Sequence, residues 1–227
     1  MGRFSALLAG AMAIGALALP ATAGAQAAGD IKVRLGAHHY PRPWGLTYVY
    51  GYIRLPKDAD ETMRVGKQVT LEQSIWPFTS WQPIGTATTE FNGYFSFRRW
   101  NVLNNQKYRA TAQLDSGTYV SQVLVLHVPF RPRISVSVRQ AKKAALVTVK
   151  GSVRPARPGK TISIQRRSLT SGWRTVARAT LSGSSGGASS FKSRPVRVRR
   201  DSIFRVRVRS DALNSVGMSG GRLVHAR

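Results

Sequence analysis

Apolar and polar residues alternate in short runs along most of the chain, and Gly, Pro, Asn and Ser separate these runs. A period of two residues places one side of a β-strand in a core and the other side in water. Beyond the N-terminal segment, no run keeps a helical period. The pattern predicts an all-β fold of antiparallel sandwiches, with about seven strands per domain. In the second half, strands are predicted at 133–138, 146–154, 161–167, 173–181, 188–198, 203–209 and 222–226.

The pattern of the first half occurs again, in the same order, in the second half. Residues 66–71 begin with Gly-Lys and continue with alternating apolar positions, and they match residues 159–164. Trp81 matches Trp173, and an apolar residue and then Ala-Thr follow each tryptophan. Internal repetition of this kind is typical of tandem units, so we expect two copies of one Ig-like β-sandwich. The further matches are Tyr50-Gly51 with Lys150-Gly151, 93–97 with 187–191, and Tyr108-Arg109 with Phe204-Arg205.

These shared motifs resemble the secreted Ig-like repeats of actinobacteria, which are similar to carboxypeptidase-regulatory-like (prealbumin-like) modules. The resemblance rests on Gly-Lys-x-apolar-x-apolar, on Trp-x-x-apolar-x-x-Ala-Thr, on Gly-x-x-Ser-Phe and on the aromatic-Arg pair, and it covers roughly residues 45–226. It implies a β-sandwich fold and secretion, and it implies no particular activity. The second repeat departs from the pattern at residues 183–187, where we expect a flexible loop instead of the usual acidic-glycine turn.

The N-terminus has the features of an export signal. Arg3 supplies a positive charge, residues 4–19 form an apolar run, and Pro20 ends the run. The small residues that follow predict cleavage after Ala27, with Ala23 as the alternative. A membrane anchor is the competing interpretation, but the run of 16 residues is shorter than the ~20 that a spanning helix needs. We therefore expect a mature chain without a transmembrane segment.

Removal of the signal peptide at 1–27 leaves enough residues for two domains. We place an aromatic-rich sandwich at 28–129 and a basic sandwich at 130–227, joined by the short, stiff segment 129–132 with its two prolines. The chain has no cysteine, which excludes disulfides and a lipid-modified N-terminal cysteine. An exported domain without disulfides suits a bacterial protein. We expect it to be secreted, either free or associated non-covalently with the cell wall.

The net charge of +26 is concentrated in the second domain. Residues 28–129 contain 11 Lys and Arg against 7 Asp and Glu, whereas residues 130–227 contain 23 against 2. Such an excess attracts polyanions, and the partner that we expect is an anionic polymer of the envelope. Polyphosphate, uronate-bearing polysaccharide and extracellular DNA are the candidates. The alternative interpretation is that outward strand positions simply require polar residues. Alternation predicts an outward ladder formed by Arg197, Arg199, Arg205, Arg207 and Arg209, with Arg200 in the turn and with Asp201 and Asp211 as local charge partners.

Aromatic residues are concentrated in the first domain, which holds 15 of the 20 Phe, Tyr and Trp residues. Alignment of the repeats assigns Tyr48, Tyr50 and Tyr52 to an outward face, and Tyr94 joins them if its strand pairs with theirs. Stacked tyrosines can bind the C–H faces of sugar rings, so these four residues are candidates for a carbohydrate platform. The competing interpretation is that residues 38–44 or the neighbouring domain cover them.

Patterns that carry catalysis or bind metals are missing from the sequence. His38 and His39 are adjacent, so on a strand they point to opposite faces, and a zinc site is not expected. Asp58, Asp60 and Glu61 form at most a weak calcium site. We find no catalytic motif, no cofactor motif and no motif for sequence-specific nucleic-acid recognition. The sequence favours a non-catalytic extracellular module that acts by binding or as a spacer, and the alternative is a specific polyanion- or carbohydrate-binding envelope protein.

Overall fold

The computed structural model describes residues 31–40, 46–57, 59–142, 144–168 and 171–226. The described chain forms 18 β-strands in four antiparallel sheets, together with one 3₁₀ turn at Glu61–Arg64. The predicted all-β, antiparallel fold class is therefore confirmed. The expected signal peptide at 1–27 lies outside the described residues. In the parts of the chain that are described, no helix has the length and apolarity that crossing a membrane requires.

The first sandwich consists of two sheets that enclose one core. One sheet has the order β1-β2-β5, and the other has the order β4-β3-β6-β7 with β8 also paired to β6. This division of consecutive strands between two facing sheets is Ig-like. The strands are β1 (Lys32–Tyr40), β2 (Leu46–Arg54), β3 (Gln68–Ile75), β4 (Gln82–Thr88), β5 (Tyr94–Arg99), β6 (Gln106–Leu114), β7 (Gly117–Val120) and β8 (Leu124–Leu126).

The second sandwich repeats this arrangement. Its strands are β9 (Arg131–Ala141), β10 (Ala144–Arg154), β11 (Thr161–Arg167), β12 (Arg174–Thr180), β13 (Ser182–Ser185), β14 (Ala188–Lys192), β15 (Val196–Val198), β16 (Ser202–Val208), β17 (Gly217–Met218) and β18 (Arg222–Val224). One sheet has the order β13-β14-β10-β15 with β9 also paired to β10, and the other has the order β12-β11-β16-β17 with β18 also paired to β16. Thus β2, β3 and β6 of the first sandwich correspond to β10, β11 and β16 of the second.

Each sandwich has its own hydrophobic core, built from residues that match between the repeats. Leu71 and Tyr108 are fully buried in the first core, and their counterparts Ile164 and Phe204 are fully buried in the second. Alternation along each strand sends these side chains inward, because successive residues of a strand point to opposite faces. The first core extends to Val128 and the second begins at Phe130.

Two local predictions for the second repeat were wrong. The strand predicted at 188–198 is two strands, because β14 pairs with one part of β10 and β15 pairs with another. The predicted flexible loop at 183–187 is a hairpin between β13 and β14. Its two central residues, Gly186 and Gly187, have φ values of 54° and 72°. Positive φ at both central positions is what a type I′ turn requires, and glycine adopts it without strain.

A buried asparagine connects the two sandwiches. Asn214 has no solvent exposure, and its Nδ2 donates to the carbonyl oxygens of Leu103 at 2.7 Å and Val128 at 3.1 Å. The Asn214 Oδ1 accepts a hydrogen bond from Arg157, which also donates to Asn104 Oδ1, both at 2.7 Å. A buried amide is costly unless its polar atoms are paired, so this network favours one fixed arrangement of the domains.

Candidate binding surfaces

The tyrosine face lies on the outer side of β2. Val49, Gly51 and Ile53 are buried, whereas Tyr48 and Tyr50 are half-buried and Tyr52 is 41% exposed. The strand therefore has the two faces that the repeat alignment predicts. On the neighbouring strand β5, Tyr94 lies opposite Tyr52, and the centroids of their rings are 5.2 Å apart.

The central tyrosine of this face lies against the backbone of the edge strand. Gly36 of β1 is paired with Tyr50, and a Cβ atom at position 36 would lie only 2.9 Å from the ring of Tyr50. Glycine therefore leaves the space that the ring occupies. The ring of His38 stacks on Tyr50, with a centroid distance of 5.3 Å and an interplanar angle of 20°.

One end of the tyrosine face is basic. The guanidinium of Arg98 lies 5.8 Å from the ring centroid of Tyr48 and 4.5 Å from that of Trp100, which are cation–π distances. Trp100 is 48% exposed, and the sequence interpretation did not include it. The competing interpretation is that the segment 38–44 or the neighbouring domain covers the tyrosines. Residues 41–44 of that segment lie outside the described residues, and His38 does contact Tyr50.

The six candidate arginines do not form one ladder. Arg205 and Arg207 lie on the outer face of β16, and Arg209 is exposed just after that strand. Arg197 lies on β15, which pairs with β10 in the opposite sheet. The exposed Arg199 and Arg200 follow β15 before β16 begins. The prediction of a single ladder was wrong because consecutive strands of a sandwich belong to different sheets.

Arg205 lies in a cluster of charged and aromatic side chains. Its guanidinium is 4.0 Å from the ring centroid of Trp173, and Arg167 is 5.0 Å from the same centroid. The Arg205 Nε donates to Gln165 Oε1 at 2.9 Å. Burial, together with the positive charges of Arg207 and Arg167, lowers the pKa of Arg205 from its ordinary value. The cluster therefore contains three guanidiniums, and Arg207 and Arg167 each lie close enough to Arg205 to repel it.

The equivalent arginine of the first repeat has a carboxylate partner. Arg109 lies 4.6 Å from the ring centroid of Trp81, and it donates to both oxygens of Glu72, at 2.7 and 2.9 Å. Thr111 donates to Glu72 at 3.1 Å. The hydrogen bonds from Arg109 hold the pKa of Glu72 below its ordinary value, although burial opposes this shift. In this repeat the positive charge is neutralised within the fold.

The two carboxylates of the second domain bind other groups. Asp201 accepts hydrogen bonds from the backbone N–H of Ala226 at 2.9 Å, and it pairs with His225 at 2.7 Å. Asp211 forms a salt bridge with Lys160 at 2.8 Å. Neither carboxylate pairs with an arginine of β15 or β16 among the described residues. The expectation that they are local charge partners of those arginines was wrong.

A second basic surface covers the outer face of the sheet built around β10. Its cations are exposed, and no carboxylate is interspersed among them in the described part of that sheet. The sequence interpretation missed this surface, although alternation along β9 and β10 indicates it, since most of their apolar residues occupy the other face. These cations are Arg133, Arg139, Lys150, Lys192 and Arg197.

The adjacent histidines and two of the loop carboxylates have local partners. Asp60 accepts a hydrogen bond from the backbone N–H of Thr62 at 2.9 Å, and Glu61 pairs with Arg64. Asp58, the third residue of the weak calcium candidate, lies outside the described residues. His39 bonds to Thr47 Oγ1 at 2.7 Å, away from the outward His38. Within the described ranges, no three His, Asp or Glu side chains come together as a metal site would require.

Comparisons with known proteins give only distant similarities. No protein-family model matches the chain, and no curated protein matches its sequence. A tetra-tandem repeat from the extending region of a large adhesion protein superposes with a TM-score of 0.33 and 16% identity, over 79% of this chain and 45% of that one. The chicken interferon gamma receptor alpha chain superposes with a TM-score of 0.41 and 10% sequence identity, over 86% of this chain and 98% of the receptor chain. The BSP domain of a biofilm associated protein superposes with a TM-score of 0.27 and 14% sequence identity, over 78% of this chain and 27% of that one. None of these similarities identifies a ligand.

Proposed function

We propose that the protein is a non-catalytic extracellular module of two β-sandwich domains, at 28–129 and 130–227, and that the second domain binds anionic polymers. In this proposal the segment 1–27 directs export, and the polymer retains the protein non-covalently at a bacterial envelope. The first domain acts as a spacer or as a second binding surface. No cofactor or metal takes part.

The uncompensated positive charge of the second domain is the observation that carries this proposal. Its 23 Lys and Arg have only two acidic residues beside them. Asp201 pairs with His225, and Asp211 pairs with Lys160 and lies 4.0 Å from Arg157, so neither neutralises the arginines of β15 and β16. Net charge of this size exceeds what solubility requires. Cations spread over the outer faces of two sheets suit a polymer, because binding releases the counterions condensed along it.

The proposal predicts that the full chain is retained on columns carrying polyphosphate or polygalacturonate and elutes well above physiological salt. Replacing Arg205, Arg207 and Arg209 together by Ser removes three cations from β16 and its end, so the affinity should fall roughly tenfold or more at a fixed salt concentration. The measurement is the elution position in a salt gradient.

A matched control removes three cations from the first domain, with Arg34, Arg54 and Lys57 replaced by Ser. All three are exposed, so the change in net charge is the same while the second domain stays intact. This control should elute close to the unmodified chain. Elution of the unmodified chain at near-physiological salt, together with no change in the β16 variant, would contradict the proposal.

The tyrosine face is a second candidate, as a carbohydrate platform on the first domain. The observation that favours it is the position of Tyr50 over Gly36, beside Tyr48 and Tyr52 on one outward face. We expect replacement of these three tyrosines by Ser to reduce the affinity for insoluble neutral polysaccharide about a hundredfold, because stacking on each ring contributes ~1 kcal/mol. The measurement is the fraction of protein recovered with the polysaccharide over a range of polysaccharide concentrations. Phe91→Ser is the control, since Phe91 is 78% exposed in the turn before β5. Equal recovery of all variants would dispose of the platform.

A further inference from the structure

The two repeats hold an equivalent arginine in the same place but compensate its charge differently. Arg109 lies on β6 and Arg205 lies on the corresponding strand β16. Each guanidinium covers the ring of a matching tryptophan, Trp81 in the first repeat and Trp173 in the second. Each arginine is paired across the sheet with the same position of the neighbouring strand, which is Glu72 in one repeat and Gln165 in the other. A single position therefore decides whether the site contains its own anion.

In the first repeat the site is complete. The Glu72 carboxylate accepts two hydrogen bonds from Arg109 and one from Thr111. A guanidinium that donates two bonds to one carboxylate is the strongest common ion-pair geometry. The side chain of Glu72 is 16% exposed, so the pair is partly shielded from water. Nothing further is required to balance the charge of Arg109.

In the second repeat the same site lacks a negative charge. Gln165 accepts one hydrogen bond from Arg205, but a carboxamide is neutral and cannot balance a guanidinium. The position of Thr111 is occupied by Arg207, which lies opposite Ser163 on β11. Arg167 adds a third guanidinium on the ring of Trp173. Among the described residues, none of these three arginines has a carboxylate within salt-bridge distance.

Such an arrangement is unfavourable for the folded domain by itself. Like charges on neighbouring strands destabilise a sheet, and the shift in the pKa of Arg205 has the repulsion by Arg207 and Arg167 among its causes, after burial. An external anion would relieve this repulsion in the way that Glu72 does in the first repeat. The outer face of β16 is accessible to such an anion, because Arg207 and Arg167 are both exposed.

We propose that Gln165, Arg167, Arg205 and Arg207 form a carboxylate-binding site that takes the uronate groups of an acidic polysaccharide. This inference rests on the proposed binding of anionic polymers and assigns a chemical group and a place to it. The first repeat supplies the reason for a carboxylate, because a carboxylate is the group that its fold places beside the same arginine. Gln165 is only 7% exposed and its Oε1 accepts from Arg205, so it holds Arg205 in place without adding a negative charge, whereas a glutamate there would repel a bound carboxylate.

The test is the variant Gln165→Glu, which gives the second repeat the carboxylate of the first. The internal carboxylate should pair with Arg205 and exclude the ligand, so we expect the affinity of the full chain for polygalacturonate to fall roughly tenfold at physiological salt. Arg207→Thr, which copies Thr111, should weaken binding in the same direction. Both replacements introduce residues that the first repeat accommodates at the equivalent positions. Circular dichroism checks that each variant is folded.

The control for net charge is Ser184→Glu, because Ser184 is exposed on β13, in the hairpin between β13 and β14 of the opposite sheet and outside the second basic surface. It changes the charge of the domain by the same amount and should weaken binding much less than Gln165→Glu. Equal weakening by the two variants overturns the site but leaves the general binding of polyanions standing. Absence of any retention of the unmodified chain on polygalacturonate and on polyphosphate contradicts the proposed function itself.

Two further ligands test whether the group that binds at this site is a carboxylate. Methyl-esterified polygalacturonate has the same sugar rings without the charge, so it should bind weakly to the unmodified chain and should not distinguish Gln165→Glu from it. Polyphosphate should distinguish the two proteins less than polygalacturonate does. A loss of polyphosphate binding as large as the loss of polygalacturonate binding would overturn the assignment to carboxylate.

Discussion

Gly151→Ala is expected to destabilise the second sandwich by about 3–4 kcal/mol, and Gly51→Ala is expected to do the same to the first. A Cβ atom at Gly151 would lie 2.0 Å from the carbonyl oxygen of Arg133, and one at Gly51 would lie 2.2 Å from that of Arg34. In both repeats the atom in the way belongs to the backbone of the paired strand, so a rotamer change cannot remove the clash. One of the two strands must move away from the other.

Differential scanning calorimetry of the full chain measures this effect. Because each sandwich has its own core, each variant should lower the unfolding transition of its own domain, by roughly 15–25 °C. Gly172→Ala is the control, since a Cβ atom there would have no neighbour within 4 Å. Transitions that stay within a few degrees of those of the unmodified chain would contradict the close packing of β1 on β2 and of β9 on β10.

Raising the pH from 10 towards 12 is expected to destabilise the first sandwich by roughly 3 kcal/mol through one residue. Tyr108 is fully buried, and burial raises its pKa from 10.0 to about 12. The unfolded chain loses this proton near pH 10, whereas the folded chain keeps it until about pH 12. The stabilisation is therefore complete below pH 10, and it is lost as the pH rises through that interval.

Tyr108→Phe isolates this contribution from the titration of the lysines. Phe204 occupies the equivalent position of the second core, so phenylalanine fits this kind of site. The variant loses only the hydrogen bond to Gln106, about 1 kcal/mol. Urea unfolding below pH 10 and near pH 12 should show the large pH-dependent loss in the unmodified chain and its absence in Tyr108→Phe. The same loss in both proteins would show that Tyr108 is not its cause.

The faces of single strands could be predicted from the sequence because they depend on a local rule. Alternation along β2 places Val49 and Ile53 inside, and the match with Val149 and Val153 fixed the register of that rule. The outward position of Tyr48 and Tyr50 follows at once. The same rule also identifies the exposed cations of β9 and β10.

The grouping of strands into sheets could not be predicted in this way, because it depends on contacts distant in sequence. Arg197 and Arg205 are close along the chain but lie in opposite sheets. Asp201 was expected to pair with the arginines next to it, yet it binds His225 at the end of the chain. Alternation identifies the side of a strand on which a residue lies, but it does not identify the neighbouring strand.

The difference between Glu72 and Gln165 lies one residue beyond the matched segments 66–71 and 159–164, and the sequence alone gives it no chemical meaning. It matters only because β3 pairs with β6, and β11 with β16, in a register that places each residue opposite the matching arginine. Without that register, a glutamate and a glutamine on outward positions are equally ordinary surface residues. Pairing across the sheet gives the difference its chemical consequence.

The contact between the two sandwiches also sets the length over which the protein could hold a polymer. Val128 belongs to one core and Phe130 to the other, so Pro129 alone is left as a tether, with a reach of at most ~3.6 Å. If the hydrogen bonds of Asn214 open, their partners stay nearby at an effective concentration in the millimolar range or above, and they close again. A polysaccharide that binds both the tyrosine face and the proposed carboxylate-binding site around Arg205 therefore meets the two surfaces at one fixed spacing.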